Sequence, residues 1–261
     1  MVRLDQGGCA AEEIRLYPPP PHLRGWVRHV SVQPGPARRE SWRVVPDTSG
    51  YLIFSMTAAA ACCRLVGARS TYADVDVDRR LVTIAVRLQP GALPAVIGDR
   101  ATALTDRAVD VADIFGARGR RLLNELPELT WRAAADRLID AIAGRVEDRA
   151  APELGRALAR ASRVEDLRRL LGSSARALHR RLVESAGLAP KRALRVERLH
   201  AALHRIGRGA SLSAAALDAG YSDQAHFTRE SRSLLGESPV AWRRRGRCGA
   251  DSFKSAAPPA R

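Results

Sequence analysis

From Trp26 to Val32 apolar and polar residues alternate as W-V-R-H-V-S-V, the period of a strand with one buried face. Pro34-Gly35-Pro36 breaks the pattern. Trp42–Asp47 and Tyr51–Met56 flank the turn residues Thr48-Ser49-Gly50, which predicts a β-hairpin whose second strand is largely buried. Cys62–Val66 and Val82–Leu88 read as further strands. Helical spacing follows: residues 92–97 and 106–125 predict short helices, and 131–145 an amphipathic one. Residues 1–16 are expected to be loosely ordered, and the four prolines at 18–21 form a stiff, extended lead-in.

Beyond residue 152 the strand pattern stops. Glu153–Ala161 opens a helical run, and Ser162 with Glu165 three residues on reads as a capping box before a stop at Gly172. Ser174 caps the next helix, which Gly187 ends. Pro190 starts a helix running to Ile206, about 25 Å long at 1.5 Å per residue. Ser211 caps the helix before Gly220, whose backbone freedom suits a tight turn. Ser222 is expected to cap a helix through Gln224 and Arg229 to Gly236, and Pro239 opens a last helix.

These elements predict an α+β N-terminal domain, a small β-sheet with helices, over residues 1–146. A linker over 147–152 leads to an all-α double helix-turn-helix domain at 153–247. Residues 248–261, rich in Ala, Pro and Ser, have the composition of a disordered tail.

The helical half repeats itself at an offset of 49: Leu178 answers Phe227, Arg180 answers Arg229, Gly187 answers Gly236, and Pro190 answers Pro239. Each unit is helix, turn, capped helix, glycine stop and proline restart, with the 190–206 helix as a rigid spacer. Two helices so held can enter major-groove segments about 34 Å apart on one face of a duplex.

Charge agrees with that partner. Lys and Arg total 43 against 28 acids, a net +15, and Lys191 and Lys254 are the only lysines. Arginine suits forked contacts with phosphate and guanine. In the first unit Arg176, His179 and Arg180 share a face; in the second, Gln224, His226, Thr228 and Arg229 follow the turn. Glutamine suits an adenine edge and arginine a guanine edge or a phosphate. Arg192, Arg195, Arg198, Arg205 and Arg208 add charge along and beyond the spacer, and Arg198 is equally suited to an internal ion pair.

Residues 153–245 resemble the DNA-binding domain of AraC/XylS-type transcriptional regulators. The resemblance rests on Gly172, Ser174, Leu178, Arg180, Gly187, Pro190, Arg198, Ala216, the run Gly220-Tyr221-Ser222-Asp223-Gln224-Ala225-His226-Phe227-Thr228-Arg229, Gly236 and Ser238-Pro239. It implies two helix-turn-helix units, with base contacts from the helices that begin after Ser174 and Ser222. Three departures stand out: Ser231 for an aromatic core residue, Ala215 for a larger aliphatic, and Leu182 for a phenylalanine. Each removes apolar burial worth about 1–3 kcal/mol, so the second unit is expected to pack loosely. The N-terminal half resembles the sensor-like domain found with some of these regulators, through Val45-Pro46-Asp47, Leu52-Ile53-Phe54, Arg87–Ala92 and Leu104-Thr105-Asp106. That suggests an effector-binding or dimerisation role.

Other chemistry is thin. Asp47, Tyr51 and Arg87 are candidates for effector binding, although turn and strand chemistry explains them equally well. Adjacent Cys62 and Cys63 could sense thiol stress, but two small buried strand residues fit better. His200 and His204 have metal-capable spacing without a third ligand, so neither a metal nor another cofactor is expected. No catalytic constellation is present. The absence of a secretory signal and of a long apolar stretch points to a cytoplasmic protein away from membranes.

The expectation is a sequence-specific transcription regulator, not an enzyme. Its partners are double-stranded DNA and, by its class, RNA polymerase, a small-molecule effector and a second copy of itself. The alternatives are a DNA-repair protein carrying the same module and a nonspecific nucleic-acid binder.

Overall fold

The computed structural model describes residues 14–34, 40–77, 82–147 and 149–244. Gly35 and Pro36 of the expected break, Cys9, Cys248 and the 248–261 tail lie outside them. The N-terminal half is built on a six-stranded sheet, in spatial order β1 (Arg15–Tyr17), β2 (Val27–Pro34), β7 (Val82–Leu88), β4 (Tyr51–Met56), β5 (Ala61–Val66) and β8 (Ala108–Asp110). All its pairings are antiparallel. A separate ribbon joins β3 (Glu40–Val44) to β6 (Ala73–Val77).

Strand alternation gives the large sheet two unlike faces. Val30, Val32, Leu52, Phe54, Cys63, Leu65, Ile84, Val86 and Leu88 form the apolar one and belong to a single core. Against it pack α1 (Leu93–Ile97), α2 (Val111–Phe115), α3 (Ala117–Glu125) and α4 (Trp131–Val146), which supply Val96, Val111, Leu122, Leu138 and Ile142. The other face brings His29, Arg87 and Tyr51 side by side on three neighbouring strands.

The C-terminal half is helical: α5 (Leu154–Arg160), α6 (Val164–Leu170), α7 (Ala175–Ala186), α8 (Pro190–Gly207), α9 (Leu212–Asp218), α10 (Gln224–Leu235) and α11 (Pro239–Arg244). α8 threads two cores. Ala193 and Leu194 join Leu158, Leu167, Leu178 and Leu182 in one, while Leu199, Leu203 and Ile206 join Phe227, Leu234 and Leu235 in the other. Each core also takes one residue from the N-terminal half, Ala68 in the first and Val45 in the second.

Several expectations need correction. β3 does not form a hairpin with β4. Between them Pro46 has no N–H to donate, and Asp47 exchanges backbone hydrogen bonds with Arg69 at 3.0 and 2.8 Å, so the chain crosses the polar face instead of turning back. Arg15 and Leu16 are not loose, because β1 pairs with Val30–Val32 and Tyr17 stacks on Trp131 at 5.4 Å between centroids. The 106–125 region contains an edge strand and two helices; Asp110 caps α2 by accepting from the Ala112 N–H at 2.8 Å. α6 begins one residue later than the Ser162–Glu165 pattern predicts. The Asp166 carboxylate, not Glu165, reaches back, accepting from the N–H groups of Arg163 at 2.9 Å and Ser162 at 3.1 Å.

Candidate nucleic-acid interface

The two units correspond residue for residue from their cap onward. α7 and α10 are both 12 residues long, and both end at a glycine with φ 72° and ψ 2°. Leu178 and Phe227, 49 apart, are fully buried anchors. Pro190 and Pro239 each restart the chain as a helix. The turns differ: residues 171–174 separate α6 from α7, whereas 219–223 separate α9 from α10, one residue more.

The extra residue lies before the cap, and the caps themselves keep the offset of 49. Ser174 caps α7 by accepting from the Ala177 N–H at 3.2 Å, as expected. In the second unit the cap is Asp223, not Ser222: its carboxylate accepts the His226 N–H at 2.6 Å. Asp223 is held below the usual carboxylate range by that hydrogen bond and by the Ser222 hydroxyl. Ser222 sits outside the helix, with its hydroxyl also 3.2 Å from His226 Nδ1.

The side chains singled out from sequence fall into two groups. Arg176, His179, Arg180, Gln224 and Arg229 are exposed and make no hydrogen bond or ion pair among the described residues. His226 and Thr228 are half-buried. The Thr228 hydroxyl donates to the Gln224 carbonyl at 2.8 Å, and the His226 ring meets Tyr221 edge-on. Arg232, one helical turn beyond Arg229, is exposed as well; its spacing from Arg229 is the signal that would have found it.

Most spacer arginines are engaged internally. Arg195 grips Glu230 of α10 at 2.8 and 2.9 Å, and Arg205 holds Asp218 of α9 at 2.6 Å. Arg198 lies over the Tyr221 ring and donates to the Ser162 carbonyl at 3.1 Å, a hydrogen bond rather than the ion pair considered from sequence. Arg192 donates to the Ser70 carbonyl at 2.8 Å. Lys191 and Arg208 remain exposed. The spacer charge therefore orients both helices more than it offers itself to an outside anion. Loose packing of the second unit is not seen at the departures: Ser231 is fully buried and donates to the Glu237 carbonyl at 2.8 Å, and Ala215 is fully buried under α8.

Asp47, Tyr51 and Arg87 are together, but they face one another. Arg87 donates to Asp47 at 2.8 Å and to Ser49 at 3.2 Å, and the Tyr51 hydroxyl also donates to Asp47. Burial alone would raise the Asp47 carboxyl, but Arg87, His200 and these hydrogen bonds outweigh it and hold it well below the usual range. α8 covers this cluster: His200 Nε2 donates to the Pro46 carbonyl at 2.5 Å, and Thr48 donates to Glu197. Further along the seam, the Tyr72 N–H and Arg43 donate to the carbonyls of Leu234 and Leu235 at 3.1 Å each, and Thr105 donates to the Gly187 carbonyl at 3.1 Å. The N-terminal half thus touches the glycine-stopped end of each repeated helix.

Cys63 is buried on the apolar face of β5, and burial, with Asp110 and Cys62, pushes its thiol up to about 12. Among the described residues no group of three or more His, Cys, Asp or Glu could hold a metal ion, and no helix is long and apolar enough to cross a membrane.

Residues 167–245 match the family model of a helix-turn-helix domain, and residues 15–110 match that of a domain of unknown function, DUF6597. Among curated proteins no sequence matches the chain. Solved structures of ToxT from Vibrio cholerae are distantly similar. An apo lysine-to-alanine variant shows 12% identity and a TM-score of 0.43, over 82% of this chain and 96% of that one. A wild-type ToxT bound to an unsaturated fatty acid shows 11% identity and a TM-score of 0.41, over 82% of this chain and 94% of that one. The chain thus carries a helix-turn-helix domain over residues 167–245 and a DUF6597 domain before it, an arrangement that supports its resemblance to AraC-type DNA-binding regulators.

Proposed function

We propose that this regulator reads a specific operator with α7 and α10 placed in successive major-groove segments, and that the N-terminal half governs how firmly the pair is held. The observation that carries the reading is the equivalence of Arg180 and Arg229. Each lies six residues after the cap of a 12-residue helix, exposed and unpaired among the described residues. The helix joining them has 18 residues, so it spans about 27 Å and, being continuous, keeps one helix from drifting relative to the other. Arg176, His179 and Gln224 would share base readout, while Ser174 and Ser222, at the helix starts, would sit near phosphate. Because His226 and Thr228 already have internal partners, they support α10 more than they contribute to readout.

Control by an effector belongs to the same reading. A molecule that loosens or tightens the seam around Asp47 and α8 would change the alignment of the two helices through the spacer they share. Selection of bound fragments from random duplex DNA, followed by footprinting, tests the proposal. Protection of two major-groove segments about one helical turn apart is expected. A single protected segment, or equal affinity for all sequences, would overturn it.

A further inference from the structure

A cleft of about 970 Å³ runs beside α7, from Ser173 at its start to Ser185 near its end. One wall is α7 itself, with Arg180 and Arg181. The other comes from the N-terminal half and the connecting segment, with Arg100 after α1 and Arg149 before α5. Four arginines line it against two acids, Asp99 and Glu184. Neither ion pair that touches it is close: Arg100 is 3.8 Å from Glu184, and Arg181 is 3.9 Å from Glu153. The Arg100 side chain is 71% exposed, so such a pair contributes little and yields readily to a stronger anion.

We infer that this cleft is a second DNA-contacting surface, in which Arg100 and Arg149 grip the phosphate backbone of the strand bordering the groove that α7 occupies. The inference rests on α7 being a reading helix. Arg180 belongs to both surfaces, so a duplex engaged by α7 places one of its two backbones along this flank. The cleft is open along its length, whereas a small-molecule site encloses most of its ligand. A cationic, open channel continuous with a reading helix fits a chain of phosphates. The consequence is that the N-terminal half would be part of the DNA-binding surface, and any shift of that half against α7 would change the number of phosphates held.

The test uses the full chain and measures binding to a selected duplex and to random duplex across a range of KCl. For the Arg100→Ala/Arg149→Ala variant the slope of log affinity against log salt is expected to fall by about 0.9 for each phosphate that is no longer neutralised. Both duplexes should weaken by the same factor, and Arg100→Lys/Arg149→Lys should keep most of the slope. An unchanged slope in the alanine variant overturns the inference, and so does uptake of inorganic phosphate by the wild type accompanied by an unchanged DNA slope. Arg180→Ala separates the two levels. If it weakens DNA binding while the double variant leaves the slope alone, only the cleft is wrong. If Arg180→Ala also changes nothing, the reading of α7 falls with it.

Discussion

Arg87 and Asp47 lie 2.8 Å apart with side chains only 3% and 4% exposed, and the spacer helix of the DNA-binding domain closes over them. A buried ion pair is weak evidence for stability, because desolvating both ions offsets most of their attraction. Its position is more telling. It fixes the Pro46–Ser49 segment against the sheet, and that segment carries the contacts to His200 and Glu197.

Removing one member should therefore cost far more than removing both. Arg87→Met leaves Asp47 buried without its cation, and a loss of about 3–5 kcal/mol is expected in urea unfolding. Asp47→Asn combined with Arg87→Met should recover a large part of that loss. If the single variant loses less than about 1 kcal/mol, water reaches the pair and the seam is not closed as described.

Two buried histidines set the response to acid. His29 lies on the polar face of the sheet, and neither ring nitrogen has a hydrogen-bond partner among the described residues. Burial, helped by Arg87 and Arg28, lowers its pKa to about 3, and burial also lowers that of His200. Both are neutral in the fold and become protonated in the unfolded chain below about pH 6.5. Their contribution is thus complete above that pH and is lost as pH falls below it, for His29 down toward 3. For His29 the loss is about 1.4 kcal/mol per pH unit over that window. Asp47, also lowered but in favour of its charged form, adds loss as pH falls through the ordinary carboxylate range and below it. Urea midpoints between pH 6.5 and 4 should fall more steeply for the wild type than for His29→Phe. Equal slopes would show that His29 is solvated.

The repeat at 49 residues makes the helical half legible, down to its caps. Adding 49 to Ser174 gives Asp223, the residue that caps α10, although the neighbouring Ser222 has an equally suitable side chain in sequence. Alternation located β2, β4, β5 and β7 because each has one apolar face toward the helices. It could not order them, since whether β3 turns back on β4 depends on what Asp47 bonds with, and those partners are Arg69 and Arg87. The charge pattern had the same limit. Arg192, Arg195 and Arg205 look alike in sequence, and only the fold shows that each already has an internal acceptor.

The glycine stops offer a test of the seam itself. Gly236 has a φ of 72°, and a Cβ added there would lie 2.5 Å from the Tyr72 ring. Gly236→Ala should cost about 1 kcal/mol through its backbone alone and should push the ribbon off α10. Hydrogen exchange at the Tyr72 amide, which bonds the Leu234 carbonyl at 3.1 Å, should accelerate. Adding Tyr72→Ala removes the clash but not the strained φ, so stability should recover only in part. No change in exchange with Gly236→Ala would mean that ribbon and helix do not meet in solution.

The equivalence of Arg180 and Arg229 makes the strictest demand. If both read bases, Arg180→Ala and Arg229→Ala should each weaken binding to the selected operator by about 1–3 kcal/mol. Each should relax base preference in one segment only, and the two relaxed segments should lie about one helical turn apart. Arg232→Ala, one turn further along α10, should weaken selected and random duplex by the same factor, as expected for a side chain that holds phosphate rather than a base. Binding selections repeated with each variant provide the measurement. Relaxation of the same segment by both arginine variants would overturn the placement of α7 and α10 in successive major-groove segments.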